Sequence, residues 1–207
     1  MIKKANYNIS LSISEFRQLI SIKPWSGSHW DKTPNNEIKA IKSKIREQLN
    51  NIQSVCSYCG LKLGGTSNGE IEHIAPKASF RHPEFTFIPK NLTLACHLCN
   101  GFSKKGTKDT VSKKNNVYAK CEFDIVHPYF DNPNDHFEWT DNQIELLIQV
   151  KNNSTKGTNS IKLFKLDSPL MNELRAQQIR FEEFKISNTI SQQDEDLINT
   201  ILNYKNE

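Results

Sequence analysis

With 207 residues, 36% of them hydrophobic, the chain is long enough to bury one good core with small additions at either end. No stretch reaches the ~18 consecutive apolar residues of a membrane span, and the N-terminal MIKKANYNIS, two lysines with no apolar run behind them, does not read as a signal peptide. The expected location is therefore the cytoplasm, with no membrane partner. The net charge of +4 conceals an asymmetry: residues 1–120 hold 19 Lys+Arg against 8 Asp+Glu, and residues 121–207 hold 8 against 15. A basic front half suits a polyanion, and an acidic rear half suits a protein-docking surface.

In chain order, Ser12 and Glu15 form a capping-box pattern ahead of Phe16, Leu19 and Ile20, which predicts a short first helix. Thr33-Pro34 reads as an N-cap followed by an N1 proline. Behind it Ile38, Ile41, Ile45, Leu49 and Ile52 recur at helical spacing, so a packing helix is expected over roughly 35–52, with lysines on its other faces. GLKLGGTSNGE (60–70) is a glycine-rich turn between short strand-like runs, and residues 78–90 read as an irregular loop studded with aromatics. GFSKKGTKDTVSKKNN (101–116) is expected to begin at the end of a helix and become loop. QIELLIQV (143–150) reads as a strand and NNSTKG as a turn. SIKLFKL (160–166) reads as a further strand or extended run. Ser168-Pro169 opens a helix carrying Leu170, Leu174, Phe181 and Phe184, and Asp194 to Tyr204 suggests a last short one.

Five cysteines suit no secreted disulfide framework, but four of them form two CxxC pairs, Cys56/Cys59 and Cys96/Cys99. Two such knuckles offer one ion four thiolates in tetrahedral geometry, which favours Zn2+. Gly60, directly after the first pair, can take the positive φ that such a turn often needs. A four-thiolate site has no open position, so its expected role is to fasten the chain before residue 60 to the chain after 95. Cys121 reads as a small buried hydrophobe. His127, Asp131, Asp135 and His136 sit among prolines and asparagine and read as turn structure rather than a second metal site.

Inside the pinned loop and at its edge stand Glu72-His73, Asn91 and Asn100. The order acid-His, Asn, then Asn after a second CxxC resembles the HNH endonuclease motif in its four-cysteine form. The nine-residue step from Asn91 to Asn100 is typical of that family. The string CSYCG … EIEHIAPKA … NLTLACHLCNGFSK is similar to the HNH nucleases of bacterial anti-phage systems of the Septu and retron-associated kind. The resemblance covers residues 53–105 well, and HPYFDNPNDHFEW and KGTNSIKLFKLDSPLMNELR more loosely.

The resemblance implies an α+β chain: a ββα-metal core with a four-cysteine zinc site, flanked by N-terminal helices and a C-terminal strand and helix extension. The corresponding divisions are 1–52, 53–116 and 117–207. Its chemistry also follows from the residue types. Cleaving a phosphodiester requires a base near neutral pKa, which suits His73, and a divalent cation to relieve charge on the phosphate and the departing oxygen. Mg2+ or Mn2+ prefers hard oxygen, which Glu72 and Asn100 supply. Asn91 takes the family's middle position, where it holds the loop and orients the histidine. Aspartate is common where this chain has Glu72, and Glu70, on the same strand face, is the alternative ligand. Lys77, Lys104 and Lys105 are candidate phosphate contacts. The expected function is a metal-dependent HNH endonuclease acting on nucleic acid, DNA or RNA, in anti-phage defence, with an ATPase of the same system as partner. The rival is a catalytically idle zinc-stapled module that binds nucleic acid or protein.

Overall fold

The computed structural model describes residues 1–65, 67–142 and 144–187, the last three of these as backbone only. The first helix, α1 (Ile13–Ser21), begins with the expected capping box: Ser12 Oγ accepts from the Glu15 amide, and the Glu15 carboxylate accepts from the Ser12 amide at 2.6 Å. A five-residue turn of helix, α2 (Gly27–Asp31), follows. The long helix α3 (Asn36–Ile52) starts two residues later than Thr33-Pro34 suggests. Thr33 lies in the left-handed region at φ +52, and Asn35 is the cap, its Oδ1 accepting from the Ile38 amide at 2.9 Å. Asparagine is among the strongest N-caps, and here it prevails over the Thr-Pro signal.

Ile38, Ile41, Ile45 and Leu49 are buried on one face of α3, each contributing about 1.5–3 kcal/mol by burial. They pack with Leu19, Trp30 and Phe87 against Leu92 and Leu94 of a strand, β2 (Leu92–Cys96). That strand pairs antiparallel with β1 (Gly69–His73), Gly69 opposite Cys96 and His73 opposite Leu92. Gln53, just past α3, fastens helix to hairpin: its amide accepts from Leu94 N–H at 2.9 Å and donates to Leu94 C=O at 2.6 Å. A four-residue helix, α4 (His97–Asn100), follows β2 directly.

A second core surrounds the cysteines and reaches into the rear of the chain. It takes in Tyr58, Ile74, Phe85, Tyr118, Phe123, Ile125, Phe164 and Met171, with Tyr58 stacked on Phe164 at 4.1 Å between centroids. The rear carries two small antiparallel pairs, β3 (Val111–Lys113) with β4 (Glu122–Phe123) and β5 (Phe137–Asp141) with β6 (Leu146–Val150). β6 falls inside the expected strand, whereas β5 carries no clear sequence signal. SIKLFKL is not extended. It closes a helix, α5 (Thr155–Phe164), capped by Ser154 and burying Gly157, Ser160, Ile161 and Phe164. Those positions have helical period, and Gly157 is required because a Cβ there would lie 2.6 Å from the His136 carbonyl oxygen. The last described helix, α6 (Pro169–Ser187), buries Met171, Asn172, Arg175 and Ala176 and leaves Leu170, Phe181 and Phe184 largely exposed. The expected helix over 194–204 lies outside the described residues. No helix among the described residues is long and apolar enough to cross a membrane. Among the described residues the architecture is a mixed α+β one, with helices at the front and rear and three two-stranded sheets.

Candidate functional site

The β1–β2 hairpin borders two chemically distinct clusters. At the Gly69–Cys96 end the four cysteine sulfurs converge within 4.8 Å of one another, all from buried residues. Gly60 holds φ +75, and a Cβ on it would lie 2.9 Å from the Ile2 amide nitrogen, so the first knuckle tolerates only glycine on both counts. Four soft sulfurs on two tight turns fit a tetrahedral zinc ion. Among the described residues no other group of three or more His, Cys, Asp or Glu side chains converges in this way.

Arg175 of α6 adds a feature that no local motif announces. It is buried; its Nε donates to the Cys59 carbonyl at 3.3 Å, and its remaining nitrogens bond Asn172 and Leu166. A cation beside thiolates offsets their charge, and this contact ties the rear helix to the knuckle across 116 residues. Sequence reasoning passes over it because one arginine in a helix looks like solvated surface.

Along its length β1 supplies Glu70, Glu72 and His73, paired with Ala95, Thr93 and Leu92. His73 ends the strand, buried, with its ring edge-on to Trp30 at 4.7 Å. Nε2 lies 3.1 Å from the Thr86 carbonyl oxygen. A carbonyl can only accept, so Nε2 carries the proton and Nδ1 keeps a bare lone pair. Among the described residues nothing bonds Nδ1. Burial, reinforced by the charges of Lys77 and Lys105, lowers the imidazole pKa to about 3, so the ring is neutral at physiological pH.

Glu72 is also buried, which pushes its carboxyl group up, an effect that Lys105 counters. Lys105, 1% exposed, places Nζ 2.5 Å from the Glu72 carboxylate and 2.8 Å from the His73 carbonyl oxygen. Tyr58 Oη donates to the same carboxylate at 3.4 Å. Glu70 lies on the same strand face but is more open. Its two oxygens accept from Asn100 Nδ2 at 2.6 Å and face His97 Nδ1 at 2.8 Å. The amide oxygen of Asn100, delivered by the last residue of α4, is thereby left directed elsewhere.

Glu70, Glu72, His73 and Asn100 all line one cleft of about 790 Å³, bounded by α2 and by the loops that follow Pro76 and Asn100. Asn100 therefore shares the cleft with Glu72, while its hydrogen bond goes to Glu70. Asn91 stands apart, fully buried beneath the histidine's loop. Its Nδ2 donates to Ala75 and Phe85 carbonyls at 3.1 and 3.0 Å, and its Oδ1 accepts from the Ala75 amide at 2.7 Å and Tyr118 Oη at 3.0 Å. Every donor and lone pair of that amide is thus used.

The three candidate phosphate lysines are not free surface charges. Lys105 is committed to Glu72, Lys104 is buried, and Lys77, beside the cleft, pairs with Asp31 at 2.7 Å. Among the other histidines, His127 donates through Nε2 to Tyr118 and accepts at Nδ1 from the Tyr129 amide; His136 bonds Ser154 and Asp131 pairs with Lys156.

No family model matches this sequence. A curated relative does: the chain is 27% identical, over 188 residues, to Septu protein PtuB of Bacillus mycoides (strain KBAB4). It is a weak homologue of that Septu protein. The match takes in 82% of this chain and 62% of the relative, so the chain spans about three fifths of the relative's length.

Proposed function

We propose that the chain is a metal-dependent HNH endonuclease, its hairpin and α4 forming a ββα-metal core, that hydrolyses phosphodiester bonds in nucleic acid. The observation that carries this reading is the state of His73: neutral, its Nε2–H fixed on a backbone carbonyl, its Nδ1 bare, in a cleft that also holds two carboxylates and an amide oxygen. Nδ1 takes a proton from water, and the resulting hydroxide attacks phosphorus in line with the departing 3′ oxygen. The phosphate's negative charge, once in the cleft, raises the imidazole's proton affinity from its low resting value. Trp30 and the Thr86 carbonyl keep the ring oriented. Asn91 keeps the loop that carries it in place.

The donor set fits a hard divalent cation: carboxylate oxygen from Glu70 or Glu72 and the amide oxygen of Asn100. Mg2+ or Mn2+ bound there supplies Lewis-acid relief of charge on the phosphate and the leaving oxygen. Glu70, already in contact with Asn100, is the more accessible carboxylate, and Glu72 joins it where Lys105 yields. Zn2+ on Cys56, Cys59, Cys96 and Cys99 is structural in this reading. DNA is the favoured substrate and RNA the alternative, since nothing in the site selects for a 2′-hydroxyl. The weak homology to a Septu protein supports a role in anti-phage defence, with a partner, an ATPase by family resemblance, docked on the acidic rear half.

The test is incubation of the purified full chain with Mg2+ or Mn2+ and plasmid, linear DNA or RNA, with and without the partner. Wild type should cut. His73→Ala and Asn100→Ala should lose about 10²–10⁴-fold of the rate while remaining folded. Binding without cutting under every condition would favour the idle zinc module instead.

A further inference from the structure

Phe80 and Phe102 are the two most exposed phenylalanines among the described residues, 68% and 87% open to solvent, and both line the same cleft as His73 and Asn100. Exposed aromatic rings gain little from burial in the fold, and two on one cleft wall mark a binding surface. Each sits on a loop that is built rather than loose. Gly106 holds φ +46 under Phe102, where a Cβ would come within 3.0 Å of the Phe102 Cα and 3.2 Å of its ring, so only glycine lets the turn fold back beneath that ring. Arg81 lies over the Phe80 ring at 5.3 Å, and its Nε donates to the Thr107 carbonyl at 3.1 Å. Asp109 takes a further bond from Arg81, and the neighbouring His82 approaches its other oxygen at 2.8 Å. The loop carrying Phe80 is therefore buttoned to the loop carrying Phe102.

We propose that Phe80 and Phe102 form a stacking platform for unpaired nucleobases beside the cut, so that the site takes single-stranded or locally opened nucleic acid in preference to intact duplex. The inference rests on the nuclease reading above and names the substrate class of that same cleft. A duplex keeps its base faces against one another and offers a protein chiefly phosphate, whereas a single strand offers π faces that stack on phenylalanine whatever the sequence. Loops already tied together through Arg81, Thr107 and Asp109 lose little freedom on binding, which favours the contact. A protein partner would also cover apolar rings, but the wall they share with His73 and Asn100, the groups assigned to phosphodiester cleavage, favours nucleic-acid bases.

The test is fluorescence anisotropy with the full chain and a labelled oligonucleotide, as single strand and as duplex, in DNA and RNA form, without added Mg2+ or Mn2+. Wild type should prefer the single strand. Phe80→Ala and Phe102→Ala should each weaken single-strand binding by about 10-fold and change duplex binding less than about 2-fold. Phe→Tyr should restore binding and Phe→Leu should not, because stacking needs a ring. Both rings are exposed, so the variants should keep the wild-type melting temperature. Unchanged single-strand affinity in the alanine variants, or equal loss on duplex, overturns the platform while leaving the nuclease reading intact. Wild type that neither binds nor cuts nucleic acid overturns both. Alanine variants that bind nucleic acid normally but lose a co-purifying partner assign the rings to protein docking and overturn the platform.

Discussion

The two clusters beside the β1–β2 hairpin use neighbouring residues for opposite purposes. At the Cys96 end everything is closed: four sulfurs converge, Arg175 sits against the Cys59 carbonyl, and the surrounding side chains are apolar. In the cleft that holds His73 the groups are only half committed. Nδ1 is bare, Glu70 is part-exposed, and the Asn100 amide keeps its oxygen free of the Glu70 contact. On the proposed reading, the difference separates a staple from a reactive centre. A closed set of soft ligands holds chain segments together, whereas hard, incompletely bonded groups on a cleft wall can exchange protons and ions.

That contrast predicts the largest effect at the sulfur cluster. Cys56→Ser, or removal of zinc by a chelator, should abolish cooperative folding, since a structural zinc site contributes about 10 kcal/mol or more to the fold. Metal content and circular dichroism check it, and a folded, zinc-free protein would dissolve the distinction between the clusters. Next comes the buried ion pair at the cleft. Lys105→Met leaves Glu72 uncompensated and should cost about 3–5 kcal/mol in urea unfolding.

The two asparagines sharpen the comparison. Asn91→Ala removes four buried hydrogen bonds and should cost about 2–4 kcal/mol. Asn100→Ala, on the cleft wall, should cost under about 1 kcal/mol while abolishing cutting. Equal stability losses for the two would mean that Asn100 is a structural residue like Asn91.

Much of this was legible because it is local. The CxxC pairs, the positive φ of Gly60 and the Ser12–Glu15 box each depend on residues a few positions apart. α5 reads as a strand in sequence because Ile161 and Leu163 flank Lys162 at a spacing of two, while its buried face begins at Gly157 and Ser160, which carry no hydrophobic signal. α3's first residue was misplaced because Thr33-Pro34 and Asn35 both look like helix starts. Lys105 and Arg175 could not have been assigned from sequence at all. Each is a cation that looks like surface until the fold brings Glu72, 33 positions upstream, or Cys59, 116 upstream, against it. The pairing of Asn100 with Glu70 rather than Glu72 is likewise set by how α4 meets the strand.

A further effect lies in acid. Burial lowers the pKa of His127 to about 3, so the folded chain leaves it neutral while the unfolded chain protonates it near its ordinary value. Its contribution is present in full above about pH 6.5 and is lost as pH falls towards 3, by up to ~1.4 kcal/mol per pH unit. Urea unfolding between about pH 6 and 4 should therefore show a shallower slope for His127→Gln than for wild type.

The most direct measurement is anomalous diffraction from crystals of the full chain soaked in Mn2+. The account predicts a manganese peak in the cleft within about 2.2 Å of Asn100 Oδ1 and of a Glu70 or Glu72 oxygen, on the side of His73 Nδ1. A cleft that stays without manganese at saturating ion, or a peak held by other residues with Asn100 uninvolved, would contradict it.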